Sequence, residues 1–225
     1  MASVAVRYEA IRRQVADAAD ACGRDPADVT IVAVTKTVGV PEVTAALAAG
    51  VSDFGENRVQ EFLGKYGLFP EARWHFIGTL QTNKVKDVVG RACLIHSVDS
   101  PRLLEHIDRR AAERGVIQPV LLQVDIAGEA SKHGMATADL KDVLTEASHM
   151  DSVEVRGLMT IAPLAPAEDV RWVFRELREV RDSLRATLPD RVELDELSMG
   201  MSGDFRVAVE EGATIVRIGS ALFGR

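Results

Sequence analysis

Short strand-like runs alternate with helical patterns eight times along this chain, and this alternation limits the possible folds most strongly. Strands separated by helices pair in parallel through right-handed crossovers. Eight is the number of strands that closes a (β/α)8 TIM barrel, and an open doubly wound sheet is the alternative that periodicity alone leaves open. The predicted strands cover residues 30–36, 52–56, 74–78, 94–100, 119–127, 155–161, 195–201 and 214–220.

The length of the chain and the lack of a linker predict a single domain over residues 1–225. The chain has 225 residues, which suits one barrel, and no low-complexity linker divides it. Apolar residues at steps of three and four predict an N-terminal helix over 1–23, so the barrel itself is assigned to 29–225. The other predicted helices cover 41–50, 57–66, 83–90, 101–115 and 167–188.

Composition excludes several classes of function. The chain has 34 acidic and 27 basic residues, a net charge of −7, which argues against binding to a nucleic-acid backbone. Only Cys22 and Cys93 are present, so no disulfide framework is predicted and a reducing cytoplasm fits best. No stretch has the roughly 18 consecutive apolar residues of a membrane span. The chain is therefore expected to be cytoplasmic.

Lys36 ends the first predicted strand, where a barrel carries its functional residues. Strand alternation places Val32, Val34 and Lys36 on one face. If that face points inward, the ammonium is partly desolvated, its pKa falls, and the free amine can form a Schiff base with a carbonyl. A solvated rim charge is the alternative, and it is the default for any single lysine.

Two Gly/Ser stretches follow the seventh and eighth strands, the usual place for a phosphate in a barrel. Backbone N–H groups and hydroxyls near Ser202, Gly219 and Ser220 could bind an anion, and a helical segment follows each stretch. A phosphate at one end and an aldehyde at the other describe pyridoxal 5′-phosphate, but they also describe a sugar phosphate. Packing glycines and a structural ion pair for Arg217 are the alternatives.

Metal and hydrolase chemistry find little support in the sequence. His75, His96 and His133 lack the spacing of metal ligands, so no metal site is predicted. Asp204 occupies the place of the second glycine of a nucleophile elbow around Ser202, so serine hydrolysis is not predicted.

Seven motifs, in order from the first strand to the C-terminus, resemble those of the pyridoxal phosphate homeostasis proteins. That family consists of single-domain relatives of the barrel at the N-terminus of alanine racemase. The motifs are AVTKTV (33–38), FGENRVQE (54–61), WHFIGTLQTNK (74–84), HSVDS (96–100), GLMTIAP (157–163), LSMGMSGDF (197–205) and VRIGSALFG (216–224).

The resemblance implies a fold-type III barrel that binds pyridoxal phosphate, and it implies a role for each of eight residues. Lys36 would hold the cofactor as a Schiff base, and Arg217 would face the pyridine nitrogen. Thr35 and Ser220 replace the usual Ser and Thr of the family, and both keep a hydroxyl. Of the remaining implied residues, Ser202, Gly219 and Ser220 would hold the phosphate, Asn57 would lie near the ring hydroxyl, and His75 and Met159 would lie around the ring.

Three functions remain to be separated. The resemblance implies a carrier without catalytic residues, which holds the cofactor and delivers it to apo-enzymes. Without the added domain that builds the racemase dimer, a monomer or at most a weak dimer is expected. A racemase-like enzyme is disfavoured because the chain ends five residues after Ser220, and because Tyr8 and Tyr66 lie at no strand end. A cationic Arg217 would also weaken the ring as an electron sink. A class I aldolase-like lyase lacks an evident acid–base carboxylate beside Lys36.

Overall fold

The computed structural model describes residues 2–128, 134–187 and 192–224, which fold into eight parallel strands surrounded by helices. The strands are β1 (Thr30–Val34), β2 (Asp53–Glu56), β3 (Arg73–Phe76), β4 (Leu94–Val98), β5 (Gln118–Gln123), β6 (Val153–Met159), β7 (Glu196–Met201) and β8 (Ile215–Ile218). The helices are α1 (Val4–Ala21), α2 (Val40–Ala48), α3 (Val59–Tyr66), α4 (Val85–Val88), α5 (Pro101–Arg114), α6 (Leu140–Ala147), α7 (Arg171–Arg185), α8 (Phe205–Glu210) and α9 (Ser220–Phe223).

The sheet closes on itself in sequence order, which confirms the barrel and excludes the open sheet. Strand β1 pairs with β2 on one side and with β8 on the other, where Val32 aligns with Arg217. Each predicted strand overlaps an observed one. The ends differ: β1 stops at Val34, and β5 stops at Gln123, after which Val124 forms only an isolated bridge to Met135.

The N-terminal helix packs against the end of the chain. Ser3 caps α1, and Ile11, Val15 and Ala18 are buried on its inner face. Beyond α1, Arg24 donates hydrogen bonds to the carbonyl oxygens of Val209 (2.8 Å) and Ala213 (3.0 Å). Arg24 therefore connects the end of this N-terminal segment to α8 and to the loop before β8.

Two apolar clusters form the core. The larger lies between strands and helices, and the smaller lies inside the barrel. The interior cluster consists of Val32, Leu94, Leu121, Met159 and Ile215. Buried polar side chains accompany it, so this interior differs from the purely apolar layers of many barrels.

The helix predicted over 167–188 begins as a 3-10 turn at Ala167–Val170 and continues as α7. Its predicted end, residue 188, lies outside the described residues, as do His133 and the two chain ends. Among the described helices none is long and apolar enough to cross a membrane.

Candidate functional site

Lys36 lies on a turn at the C-terminal ends of the strands and is exposed, so the predicted partial desolvation is wrong for this structure. The strand ends early because Thr35 N makes the last bond to β2, at 3.0 Å from Gly55 O, and Val38 N then donates to Thr35 O at 2.9 Å. Lys36 therefore stands at the rim of the barrel mouth.

The predicted phosphate residues come together beside the end of β1. Ser202 Oγ accepts hydrogen bonds from Gly219 N and Ala221 N, both at 3.2 Å, which fixes the loop after β7 against the turn after β8. Because the Ser202 oxygen accepts both bonds, its hydrogen can be donated to an anion. A Cβ at Gly219 would lie 3.5 Å from Val34 Cβ, so this turn packs on the strand that leads to Lys36. Ser220 is exposed at the start of α9.

Arg217 lies inside the barrel with 5% of its surface exposed. It donates to Ser198 Oγ at 2.6 Å and to Thr160 O at 2.8 Å. Burial lowers the pKa of Arg217 to about 10, although the charge of Asp204 raises it. The guanidinium therefore remains a fixed cation at neutral pH.

A chain of hydrogen bonds continues from Arg217 through the barrel interior. Ser198 Oγ lies 2.8 Å from His96 Nδ1, and His96 Nε2 lies 2.9 Å from His75 Nδ1. His75 Nε2 lies 2.9 Å from Asp53 Oδ1, at the start of β2. These hydrogen bonds thus connect the mouth of the barrel to its floor, the end at which the strands begin.

The two histidines hold different protonation states. Burial by itself lowers the pKa of His75, but the hydrogen bond to Asp53, the nearby Cys93 and the charge of Asp53 outweigh it and raise that pKa to about 9. Burial, His75 and Arg217 together hold the pKa of His96 well below its usual range. His75 is therefore the cation. Neutral His96 accepts a hydrogen bond from His75 at Nε2 and donates one from Nδ1 to Ser198 Oγ.

His75 and Met159, which the family resemblance implies near the cofactor ring, both lie in the barrel interior. The ring nitrogens of His75 contact Asp53 and His96, so this side chain faces the floor. Met159 is fully buried in the interior apolar cluster. Both positions follow from strand alternation, which directs these side chains inward rather than toward the surrounding helices.

Asn57 directly follows β2 and is held close to the end of β3. A Cβ at Gly78 would lie 2.2 Å from Asn57 O, so only glycine fits there. Asn57 Oδ1 is buried and has no hydrogen-bond donor among the described residues. Such an acceptor fits a ligand hydroxyl, since a buried polar atom without a partner destabilises the fold.

Sequence reasoning missed several polar residues that surround these positions. It did not foresee that the carbonyl of Thr160, within the motif GLMTIAP, accepts a hydrogen bond from Arg217. It also did not single out Glu61 or Lys65, which contact the residues on either side of Lys36. The helical spacing could have drawn attention to Lys65. It follows the apolar Phe62 by three residues and Glu61 by four, so on a helix it lies beside both. In the described part of the chain, no group of three or more His, Cys, Asp or Glu side chains could hold a metal ion.

Fold and site together define a class of protein: a barrel that presents one lysine beside a serine- and glycine-lined turn at its mouth. Residues 6–225 match the family model described as "Alanine racemase, N-terminal domain". The chain belongs to this family, and within it to the pyridoxal phosphate homeostasis proteins.

Three relatives illustrate the match. The pyridoxal phosphate homeostasis protein of Aquifex aeolicus is 44% identical over 221 residues, covering 97% of this chain and 96% of the relative. PipY of Synechococcus elongatus without the cofactor is 39% identical, with a TM-score of 0.90 over 99% of this chain and 100% of PipY. PipY with pyridoxal phosphate bound is 38% identical, with a TM-score of 0.88 and the same coverage.

A more distant likeness concerns the fold alone. Alanine racemase of Corynebacterium glutamicum is 17% identical, with a TM-score of 0.71 over 96% of this chain and 61% of the racemase.

Proposed function

We propose that the protein holds pyridoxal phosphate reversibly on Lys36 and hands it on to apo-enzymes. Binding of this cofactor and a role in its homeostasis accord with the family and with PipY, whose structure contains the cofactor. The observation that carries the proposal is the placement of Lys36. It is exposed at the mouth, on the strand end against which the Gly219 turn packs. An exposed lysine suits attachment and release better than a sealed one.

The other site residues would bind and orient the cofactor. Ser202, Gly219 and Ser220 would hold its phosphate, for which Ser202 has a hydroxyl hydrogen to donate. Asn57 would accept a bond from the ring hydroxyl through its unpartnered Oδ1. Arg217 would face the pyridine nitrogen as a cation held by Ser198 and Thr160. His75 and Met159 would act from the interior, through the residues that they support.

Two features favour a carrier over an amino-acid enzyme. Pyridoxal phosphate supplies a reactive aldehyde and a ring that withdraws electrons most strongly when its nitrogen is protonated. A fixed Arg217 cation opposes that protonation. Neither tyrosine has a contact that places it opposite Lys36: Tyr8 lines a cavity of about 580 Å³ beside Asp53 at the floor, and Tyr66 stacks on the buried Phe62.

The remaining features of the proposal concern the setting of the protein. We infer one domain over residues 1–225, acting as a monomer. We also place it in the cytoplasm, since Cys22 and Cys93 are both free thiols.

The test combines transfer and turnover. The loaded protein is mixed with an apo-enzyme that requires pyridoxal phosphate, and recovery of enzyme activity is followed in the presence of an excess of a scavenger for free cofactor. In parallel it is incubated with L- and D-amino acids, and the products are resolved by chiral chromatography. We expect transfer without turnover. Racemisation, decarboxylation or transamination at ordinary rates of about 1–10³ s⁻¹ would show an enzyme instead.

A further inference from the structure

Side chains from β2 and α3 form hydrogen bonds with the residues on both sides of Lys36. The lysine itself lies on a turn, so regular secondary structure does not fix its position. Its neighbours are fixed instead by Glu56, Glu61 and Lys65, which we call the lysine clamp. No role for these residues follows from the cofactor contacts described above.

On the N-terminal side the clamp holds Thr35. Lys65 Nζ donates to Thr35 O at 2.7 Å, and Thr35 Oγ1 donates to Glu56 Oε1 at 2.6 Å. Lys65 and Glu56 also form a direct ion pair. Glu56 is fully buried and Lys65 is 8% exposed, so solvent does not loosen these contacts.

On the C-terminal side the clamp holds Thr37, a non-glycine residue with a positive φ of 61°. Its N–H donates to Glu61 Oε2 at 2.9 Å. A left-handed backbone at threonine is strained, so a specific contact is needed to maintain it. The same Glu61 oxygen lies 3.9 Å from Lys65 Nζ, which joins the two sides of the clamp into one unit.

A contribution to the stability of the fold does not by itself explain why Glu56 and Lys65 are buried as an ion pair. A buried ion pair can often be replaced by apolar side chains without loss of stability, because desolvation offsets the attraction. Here one oxygen, Glu56 Oε2, is buried without a hydrogen-bond partner among the described residues. A charged cluster that is incompletely satisfied yet holds the neighbours of an exposed lysine on both sides indicates a task at that lysine.

We propose that Lys65, supported by Glu56 and Glu61, is a positioning residue that aims the Lys36 amine at the carbonyl of the bound cofactor. This inference rests on the proposed function. In the step concerned, the neutral amine adds to the aldehyde carbon, and the aldehyde oxygen leaves as water with both amine hydrogens. Nothing is oxidised or reduced. The clamp acts on the direction of attack, and its contacts go to Thr35 and Thr37 rather than to the residues proposed to hold the phosphate, so it should affect attachment without affecting docking.

The experiment separates attachment from docking. Lys65→Met and Glu61→Gln are compared with the wild type and with Lys141→Met, a matched control on the exposed face of α6. The rate of covalent attachment is measured from the rise of visible absorbance after mixing with pyridoxal phosphate. Docking is measured by calorimetry with pyridoxine 5′-phosphate, which has an alcohol in place of the aldehyde and cannot attach.

We expect attachment to slow by about ten- to a hundredfold in Lys65→Met, because small misplacements of a reacting group have effects of that size. Affinity for the alcohol analogue should stay within about twofold, and Lys141→Met should match the wild type. Lys65→Met leaves Glu56 buried without its cation and could fail to fold. Glu61→Gln keeps that buried pair and should slow attachment to a smaller degree.

The outcomes distinguish this inference from the proposed function. If the wild type attaches the cofactor at Lys36 and both clamp variants do so at the wild-type rate, the clamp is only structural. Equal losses of attachment and analogue binding would also reject positioning. If the wild type forms no adduct at Lys36, the proposed function fails first, before the variants are compared.

Discussion

His75 and His96 share a hydrogen bond inside the barrel, with His75 Nδ1 2.9 Å from His96 Nε2, and only His75 carries a charge at neutral pH. Asp53 stabilises that charge from the floor, and Ser198 connects neutral His96 to Arg217. The cation proposed to face the cofactor is thus the end of a polar chain that crosses the barrel. Stability and cofactor binding should both depend on this chain.

His75 should make the free energy of unfolding fall as pH rises. Its pKa is raised from 6.5 to about 9 in the folded state, so its stabilisation is complete below pH 6.5 and is lost between there and pH 9. The slope from one proton is at most about 1.4 kcal/mol per pH unit. Urea unfolding at several pH values measures it. His75→Gln should flatten the curve in this window, and His149→Gln, at an exposed site, should not.

Ser202→Ala should weaken cofactor binding more than Ser220→Ala does. In addition to its proposed bond to the phosphate, Ser202 Oγ accepts hydrogen bonds from the N–H groups of Gly219 and Ala221. Loss of this hydroxyl therefore also loosens the turn after β8. A lost hydrogen bond to a charged group is worth about 1.5–3 kcal/mol, roughly ten- to a hundredfold in affinity. Equilibrium dialysis measures it, with Ser148→Ala as the control. Unchanged affinity in both site variants would remove these serines from the phosphate site.

Gly78→Ala should disturb the site, while Gly64→Ala should not. An added Cβ at Gly78 would lie 2.2 Å from Asn57 O, and the backbone that carries Asn57 would have to move. At Gly64, inside α3, an added Cβ meets nothing within 4 Å, so helix propensity should raise stability by about 0.5–1 kcal/mol. Thermal unfolding and cofactor affinity are measured for both. Normal affinity in Gly78→Ala would show that Asn57 need not be held in place.

The protein should be a monomer. Several of its most exposed large apolar residues belong to different elements, such as Val6 on α1, Leu68 after α3 and Trp172 on α7. Multi-angle light scattering at micromolar concentration should give the mass of one chain. A dimer that persists on dilution would reveal an interface that these residues do not suggest.

Much of the fold could be predicted because strand and helix periods are local signals. The eight strands follow from alternation, and their number favours a closed barrel, although alternation alone did not exclude the open sheet. The Gly/Ser stretches lie together after β7 and β8 as expected. Even α6 carries a clear pattern, with Leu140, Val143, Leu144 and Ala147 buried, although it was not among the helices singled out.

The rest depends on contacts that strand and helix periods do not specify. Lys36 lies past the end of β1 because Thr35 and Val38 form a turn, which no strand pattern specifies. The direction of His75 toward Asp53 depends on the register of β2 with β3. The clamp likewise joins Thr35 to Lys65, 30 positions later.

The central claim is that Lys36 carries the cofactor, and mapping the attachment site tests it most directly. The protein is loaded with pyridoxal phosphate, reduced with borohydride, digested and sequenced by mass spectrometry. We predict a phosphopyridoxyl group on Lys36 and loss of the visible absorbance band in Lys36→Ala. A phosphopyridoxyl group found only on another lysine, such as Lys84 or Lys132, the second of which lies outside the described residues, would contradict the account.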